Sequence, residues 1–317
     1  MWCISNRARN CVTWSTTAPT PSPTTTRPPW PFRTRPRPLE DTMEYQHNTV
    51  ANYADMGNGN RLHYHDVGSG DPVIFLHGGG QGAGGWTNWQ RNLQVFADAG
   101  YRAIAPDAFG YGLSSKPADG NFDFQTLVDC LVKLLDQLGL KQVTLVGNSM
   151  GGAMAIRFAQ DFPQRVKKLV VMGPGGIGPM ERYLAMPAIQ KLKELGQEEG
   201  GFSKDKLRRF LEYMAYSNDD VTDQLVDERY EVACTQPPRV FQTLSIDDLR
   251  PRLHLLKTLP TMVLWGRDDR ACPVESGMEI LQECDNARLI VFSQCGHWVQ
   301  YEKADLFNRL CLDFLQE

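Results

Sequence analysis

Short runs of β-branched and aliphatic residues recur along the chain at Val73–Leu76, Arg102–Ala105, Val143–Val146, Leu169–Met172, Met262–Trp265 and Leu289–Phe292. Several are almost continuously apolar, the pattern of strands whose two faces are both covered. Between them, Trp86–Ala99, Phe124–Leu138, Met150–Gln160, Val274–Glu283 and Ala304–Leu315 read as helices. This alternation predicts an α/β fold with a mostly parallel sheet, right-handed crossovers and helices on both faces. Arg61–Asp66 adds an antiparallel strand at the start. The rhythm breaks once. From Met172 to Thr261 there is no strand pattern, and Pro187–Leu195, Lys204–Tyr216 and Val221–Cys234 show helical spacing instead. The simplest account is a helical cap inserted over the carboxyl edge of the sheet, where open α/β folds bind ligands. The expected division is a core of residues 43–175 and 249–317 with a cap of 176–248. There is no internal repeat.

Residues 1–42 do not share this pattern. They contain eight Pro and many Thr and Ser, and lack the apolar surface needed to fold. The segment reads as a translated stretch upstream of a start at Met43, as a transit peptide, or as a disordered tail. The first fits best, because folded-looking sequence begins within a few residues of Met43. This segment also hides the charge of the body. The 317 residues carry a net −4, but residues 1–39 hold six Arg and no acid, leaving 27 basic against 37 acidic side chains elsewhere. An acidic body argues against a nucleic-acid partner. No apolar run is long enough to cross a bilayer, so no membrane partner is expected. The eight Cys show no CxxC or CxxH spacing, so neither a metal site nor a disulfide framework is expected. They read as reduced thiols in a cytoplasmic protein, with a small molecule as partner and room for a homo-oligomer.

The strongest chemical signal is Gly147-Asn148-Ser149-Met150-Gly151, a G-x-S-x-G placed directly between a strand and a helix. Such a turn holds its serine on a strained corner, with glycines on either side where the chain approaches itself closely. A serine nucleophile needs a base, and the base needs an orienting acid. The chain order that goes with this elbow is Ser, acid, His, which leaves His254 and His297 among the six histidines. His297 follows the strand Leu289–Phe292, on a loop able to lean toward Ser149. His254 lies between leucines and reads as structural. The acid should follow Met262–Trp265, where Asp268 and Asp269 compete. The acid commonly stands four residues before a proline, which selects Asp269 ahead of Pro273 and leaves Asp268 solvent-facing or structural.

His77-Gly78-Gly79-Gly80 follows the first parallel strand, and its glycines leave backbone N–H groups free to face an oxyanion. Gly79 with Met150 would form that hole. A rival reading exists, because Gly80-Gln81-Gly82-Ala83-Gly84-Gly85 also satisfies G-x-G-x-x-G, with Asp107 after the next strand as a ribose acid. A dinucleotide site gives no reason for Ser149, Asp269 and His297 to fall in order at successive strand ends. Asp107 belongs better to the loop pattern D-x-x-G-x-G-x-S.

Taken together, LHGGG-x-GAGGW, LVGNSMGGA, MGPGG-x-GP, WGRDDR-x-x-P and F-S-x-CGHW-x-Q-x-E resemble the meta-cleavage product hydrolases of the α/β-hydrolase fold. The resemblance covers about residues 44–316. It implies cofactor-free cleavage of a carbon–carbon bond beside the ketone of 2-hydroxy-6-oxohexa-2,4-dienoates, with Ser149, Asp269 and His297 as the triad. It further implies that Arg229 holds the substrate carboxylate and that Gly80, Asn88, Asn148 and Trp298 line the dienoate pocket. Gln81 stands where proline is common, and 178–222 departs most from the family pattern. A carboxylesterase and a non-catalytic ligand receptor are the alternative readings of the same fold.

Overall fold

The computed structural model describes residues 52–317, which lie within a single unit, Val50–Glu317. The 1–42 extension and Met43 fall outside the described residues. Eight strands form one sheet among the described residues: β1 (Asn52–Gly57), β2 (Asn60–Gly68), β3 (Asp71–Leu76), β4 (Tyr101–Pro106), β5 (Val143–Asn148), β6 (Val166–Met172), β7 (Thr261–Gly266) and β8 (Ala287–Phe292). Their spatial order is β1-β2-β4-β3-β5-β6-β7-β8. The pairs β1–β2 and β2–β4 are antiparallel, and every pair from β4 to β8 is parallel.

Every residue of β5 and β7 is buried, because helices cover both faces there. Alternation along β3 divides the core in two. Ile74 and Leu76 join Leu145, Val171 and Val263 on one side, while Val73 and Phe75 join Val146, Val170 and Leu264 on the other. The sequence pattern misses β1. Only Ala54 and Met56 of its residues are buried, so it presents a largely polar run that pairs along the antiparallel end of the sheet.

The helices are α1 (Gly85–Trp89), α2 (Leu93–Asp98), α3 (Phe124–Gln137), α4 (Met150–Asp161), α5 (Met180–Leu184), α6 (Pro187–Gln197), α7 (Lys204–Met214), α8 (Asp223–Cys234), α9 (Arg239–Thr243), α10 (Glu275–Glu283), α11 (Val299–Glu302) and α12 (Ala304–Gln316). The helix expected over Trp86–Ala99 is broken in two. Asn92, fully buried between α1 and α2, sends its Nδ2 to Gln300 O and Asn308 Oδ1, and its own N–H closes a tight turn onto Trp89 O. Between β6 and β7 lie five α-helices, α5 to α9, with two short 3-10 turns and no strand. They have a small core of their own, with Leu207, Leu211, Leu225 and Val226 against Trp298 and Tyr301 of the sheet-borne part. Helix α7 stops at Met214, short of the expected Tyr216, and Ala215 turns extended with ψ 158°.

Candidate active site

Ser149 is the single residue between β5 and α4, and its backbone sits at φ 57° and ψ −118°. Holding a non-glycine residue in so sparsely populated a region costs on the order of 1–3 kcal/mol, which the surrounding structure must offset. Here the offset is visible: Ser149 N–H donates to Met172 O at 2.9 Å, and Ser149 O accepts from Ala153 and Gly175. The flanking glycines are required by close approach. A Cβ on Gly147 would lie 2.3 Å from Gly151 O, and one on Gly151 would lie 2.1 Å from Leu76 O.

The loops after β7 and β8 bring Asp269 and His297 together. His297 Nδ1 and Asp269 Oδ2 are 2.8 Å apart, with side chains 3% and 1% exposed. The other carboxylate oxygen, Oδ1, accepts from the amides of Ala271 and Cys272, which aims the group at the imidazole. Gly173, at φ 45°, closes over the pair, since a Cβ there would meet Asp269 Oδ2 at 2.9 Å. Asp268 points elsewhere and pairs with Arg267 on the surface. His254 is exposed and bonds only locally, to Pro251 O. Asn148, beside the serine, ties the histidine loop to the elbow: its Nδ2 donates to His297 O at 3.2 Å and to Met172 O, and its Oδ1 accepts from Asn88. Asn148 is wholly buried, so its side chain serves these internal bonds.

The loop after β3 faces the elbow. A Cβ on Gly79 would lie 3.1 Å from Met150 Sδ and 3.4 Å from Leu244 of the insertion. His77 shapes the loop, with Nδ1 donating to Gly78 O at 2.7 Å and Nε2 accepting from Ala108 N. Burial lowers its basicity, which keeps the ring neutral and able to accept. Tyr111 donates its hydroxyl to Gly79 O. Arg229 of α8 reaches the same loop. It is 4% exposed, its Nε and Nη2 donate to Gln81 O at 3.2 and 3.0 Å, and it lies 5.6 Å from the centre of the Trp298 ring. Its Nη2 is 3.0 Å from where a Cβ of Gly80 would be. Burial pulls the guanidinium down to about 10, and no carboxylate among the described residues forms an ion pair with it.

The glycines of the 80–85 stretch are accounted for within the protein. A Cβ on Gly82 would meet Arg229 O at 1.9 Å, one on Gly84 Asp107 Oδ1 at 2.9 Å, and one on Gly85 Ala105 O at 2.6 Å. No phosphate is needed to explain them. Asp107 is the hub of this corner. It accepts from His63 Nδ1 at 2.8 Å, Gly85 N at 2.6 Å and Leu113 N at 2.7 Å, while its carbonyl takes the Ser114 hydroxyl. Burial works against its charge, yet the histidine contacts hold it well below the ordinary carboxylate range. The periodicity of β2, which puts His63 and His65 beside Asp107, carried no signal for this cluster. Gln236 escaped the sequence reading as well. Its amide takes Gly82 N–H and donates to Gly110 O, binding the insertion to two core loops. Six cysteines are described, all free, and of these Cys234 alone is exposed.

Comparison with known proteins bears on the fold and the family. Residues 71–304, most of the chain, match the family described as the alpha/beta hydrolase fold. The chain is 40% identical over 264 residues to a 2-hydroxy-6-oxo-6-phenylhexa-2,4-dienoate hydrolase of Comamonas testosteroni, covering 81% of this chain and 91% of that protein. It is equally 40% identical, over 263 residues, to a 2-hydroxy-6-oxononadienedioate/2-hydroxy-6-oxononatrienedioate hydrolase of the same species, covering 80% and 91%. A solved meta-cleavage product hydrolase of Pseudomonas fluorescens superposes with a TM-score of 0.72 at 31% identity, over 84% of this chain and 97% of that one. Strand order, elbow and family match define a hydrolytic enzyme of the α/β-hydrolase class. Within that class the chain belongs to the meta-cleavage product hydrolases.

Proposed function

We propose that this enzyme cleaves the carbon–carbon bond of a 2-hydroxy-6-oxohexa-2,4-dienoate bearing an aryl or alkyl group on its ketone. The observation that carries this reading is Arg229. A buried guanidinium is costly unless an anion matches it, and no carboxylate among the described residues does so. A substrate carboxylate supplies that charge, and a planar fork suits a carboxylate beside an enol oxygen. Gly80 and Trp298 lie against Arg229, while Asn88 bonds to Asn148, which holds the His297 loop beside the serine.

In this reading Ser149 is the nucleophile, or positions a water that is. His297 is the base, and Asp269 holds its tautomer. The backbone N–H groups of Gly79 and Met150 receive the oxyanion, each such donor contributing on the order of 3 kcal/mol to the transition state. The dienol is first converted to its keto tautomer by protonation at carbon. Attack on the C6 ketone then breaks the C5–C6 bond, with the electron pair delocalised into the keto acid. Water completes the products, a 2-hydroxypenta-2,4-dienoate and a carboxylic acid. No cofactor enters these steps. The helical insertion of 176–248 acts as the cap over this site and supplies Arg229. No described helix is long and apolar enough to cross a membrane, and a cytoplasmic enzyme with a small-molecule partner and no nucleic-acid partner, able to self-associate, fits the chain.

The test is to offer a coloured ring-fission dienoate and a neutral aryl ester and compare kcat/KM. The dienoate should be preferred by orders of magnitude. An enzyme that turns over the ester well and leaves the dienoate untouched is a carboxylesterase, and one that binds either without turnover is a receptor.

A further inference from the structure

The last residue of the F-S-x-CGHW-x-Q-x-E motif has no part in the chemistry described so far. Glu302, at the end of α11, accepts three backbone N–H groups with its one carboxylate. Oε2 takes Gly296 N and Tyr216 N, each at 2.8 Å, and Oε1 takes Trp298 N at 3.0 Å. Gly296 and Trp298 flank His297. Tyr216 belongs to the insertion, two residues past the end of α7. The amide between them is held from the same side, because His297 N–H donates to Met214 O at 3.1 Å. Position 296 has to be glycine for this to close, since a Cβ there would lie 2.4 Å from Met214 O and 2.9 Å from Tyr216 N. On the far side, His297 O accepts from Asn148.

We propose that Glu302 is a positioning residue that fastens the His297 loop to the end of cap helix α7, so that the imidazole is aimed only while this part of the cap is seated. A carboxylate is the one side chain suited to the task. It has acceptors alone, and charge-assisted bonds to amides are shorter and about twice as strong as neutral ones. Glutamine at this position keeps the shape but brings an NH2 group, and in either amide orientation that group faces at least one N–H donor. The early end of α7 follows from the same device. An α-helix continued through Tyr216 would spend its amide on the helix ladder and leave Glu302 without its cap partner.

The inference rests on His297 as the base, so His297→Ala is assayed beside the test variants. With the dienoate as substrate, Glu302→Gln should lower kcat about ten- to a hundredfold, with KM within about twofold, as for a small misplacement of a reacting group. The downfield proton resonance of the His297–Asp269 bond should broaden or shift in that variant while the protein stays folded. Unchanged kcat and an unchanged resonance would overturn the proposal, even with a lower Tm, because Glu302 would then be structural only. If Glu302→Gln does not fold, Tyr216→Pro decides. It removes the cap N–H together with a side chain that is 43% exposed, and extended Ala215 tolerates a following proline. A fall in kcat there supports the coupling, and wild-type kcat there removes it. Near-normal turnover in His297→Ala refutes the triad instead. An inactive His297→Ala beside a fully active Glu302→Gln refutes only the role of Glu302.

Discussion

Replacing Arg229 by alanine removes two things at once, and the structure separates them. The first is internal. Gln81 O loses two charge-assisted donors at 3.2 and 3.0 Å, and Gln81 stands two residues after Gly79 in the same loop. That loss, about 1.5–3 kcal/mol for a bond to a charged group, acts on every substrate that uses the loop. The second is specific. If the guanidinium grips the dienoate carboxylate, truncation costs a further 2–4 kcal/mol or so, about 30- to 700-fold in kcat/KM, for the dienoate alone. The measured quantity is therefore the ratio of dienoate to neutral-ester kcat/KM, in which the loop effect cancels. That ratio should fall about 30- to 700-fold in Arg229→Ala and recover in part in Arg229→Lys, whose ammonium keeps the charge without the fork. An unchanged ratio, with both substrates losing equally, would falsify carboxylate recognition by Arg229 and leave it as a brace for Gln81.

Three further outcomes follow from the same geometry. Ser149→Ala should fold normally and lose turnover by several orders of magnitude, because alanine meets the same backbone strain and only the hydroxyl is gone; substantial dienoate turnover in a folded variant would count against the elbow as the reacting site. Asp269→Asn should be far more damaging to kcat than Asp268→Asn, since Asp269 alone contacts His297 Nδ1 and an amide can impose the wrong tautomer; equal losses in steady-state assays would contradict this. Arg229 is depressed by burial to about 10, so its charge is present below that pH and lost above it. Dienoate KM should rise as the pH passes through about 10 while ester KM stays flatter, and identical alkaline limbs for both substrates would argue against it.

Much of this enzyme is written in its local pattern. Seven of the eight strands, the long helices of the core and the helical insertion follow from apolar periodicity, because burial on one face or two leaves a repeat of 2 or 3.6 that needs no partner to be read. Ser149 is legible for the same reason: G-x-S-x-G between a strand and a helix is a statement about one turn. The strand β1 and the break at Asn92 escape this reading. The strand is polar and relies on its pairing with β2, and the break is made by Gln300 and Asn308, more than two hundred residues away.

The site shows the same division. His297 and Asp269 can be proposed from chain order and a nearby proline, but which of two adjacent aspartates meets the imidazole is a matter of direction, and neighbouring side chains in a loop point differently. The tertiary structure alone decides that the glycines of residues 80–85 accommodate Arg229, Asp107 and Ala105 rather than a pyrophosphate. It alone shows that the Arg229 charge has no carboxylate partner among the described residues, and that Glu302 gathers amides from both sides of His297 and from the cap. Each of these depends on segments brought together from distant parts of the chain, and a periodic pattern carries no record of what lies across the gap.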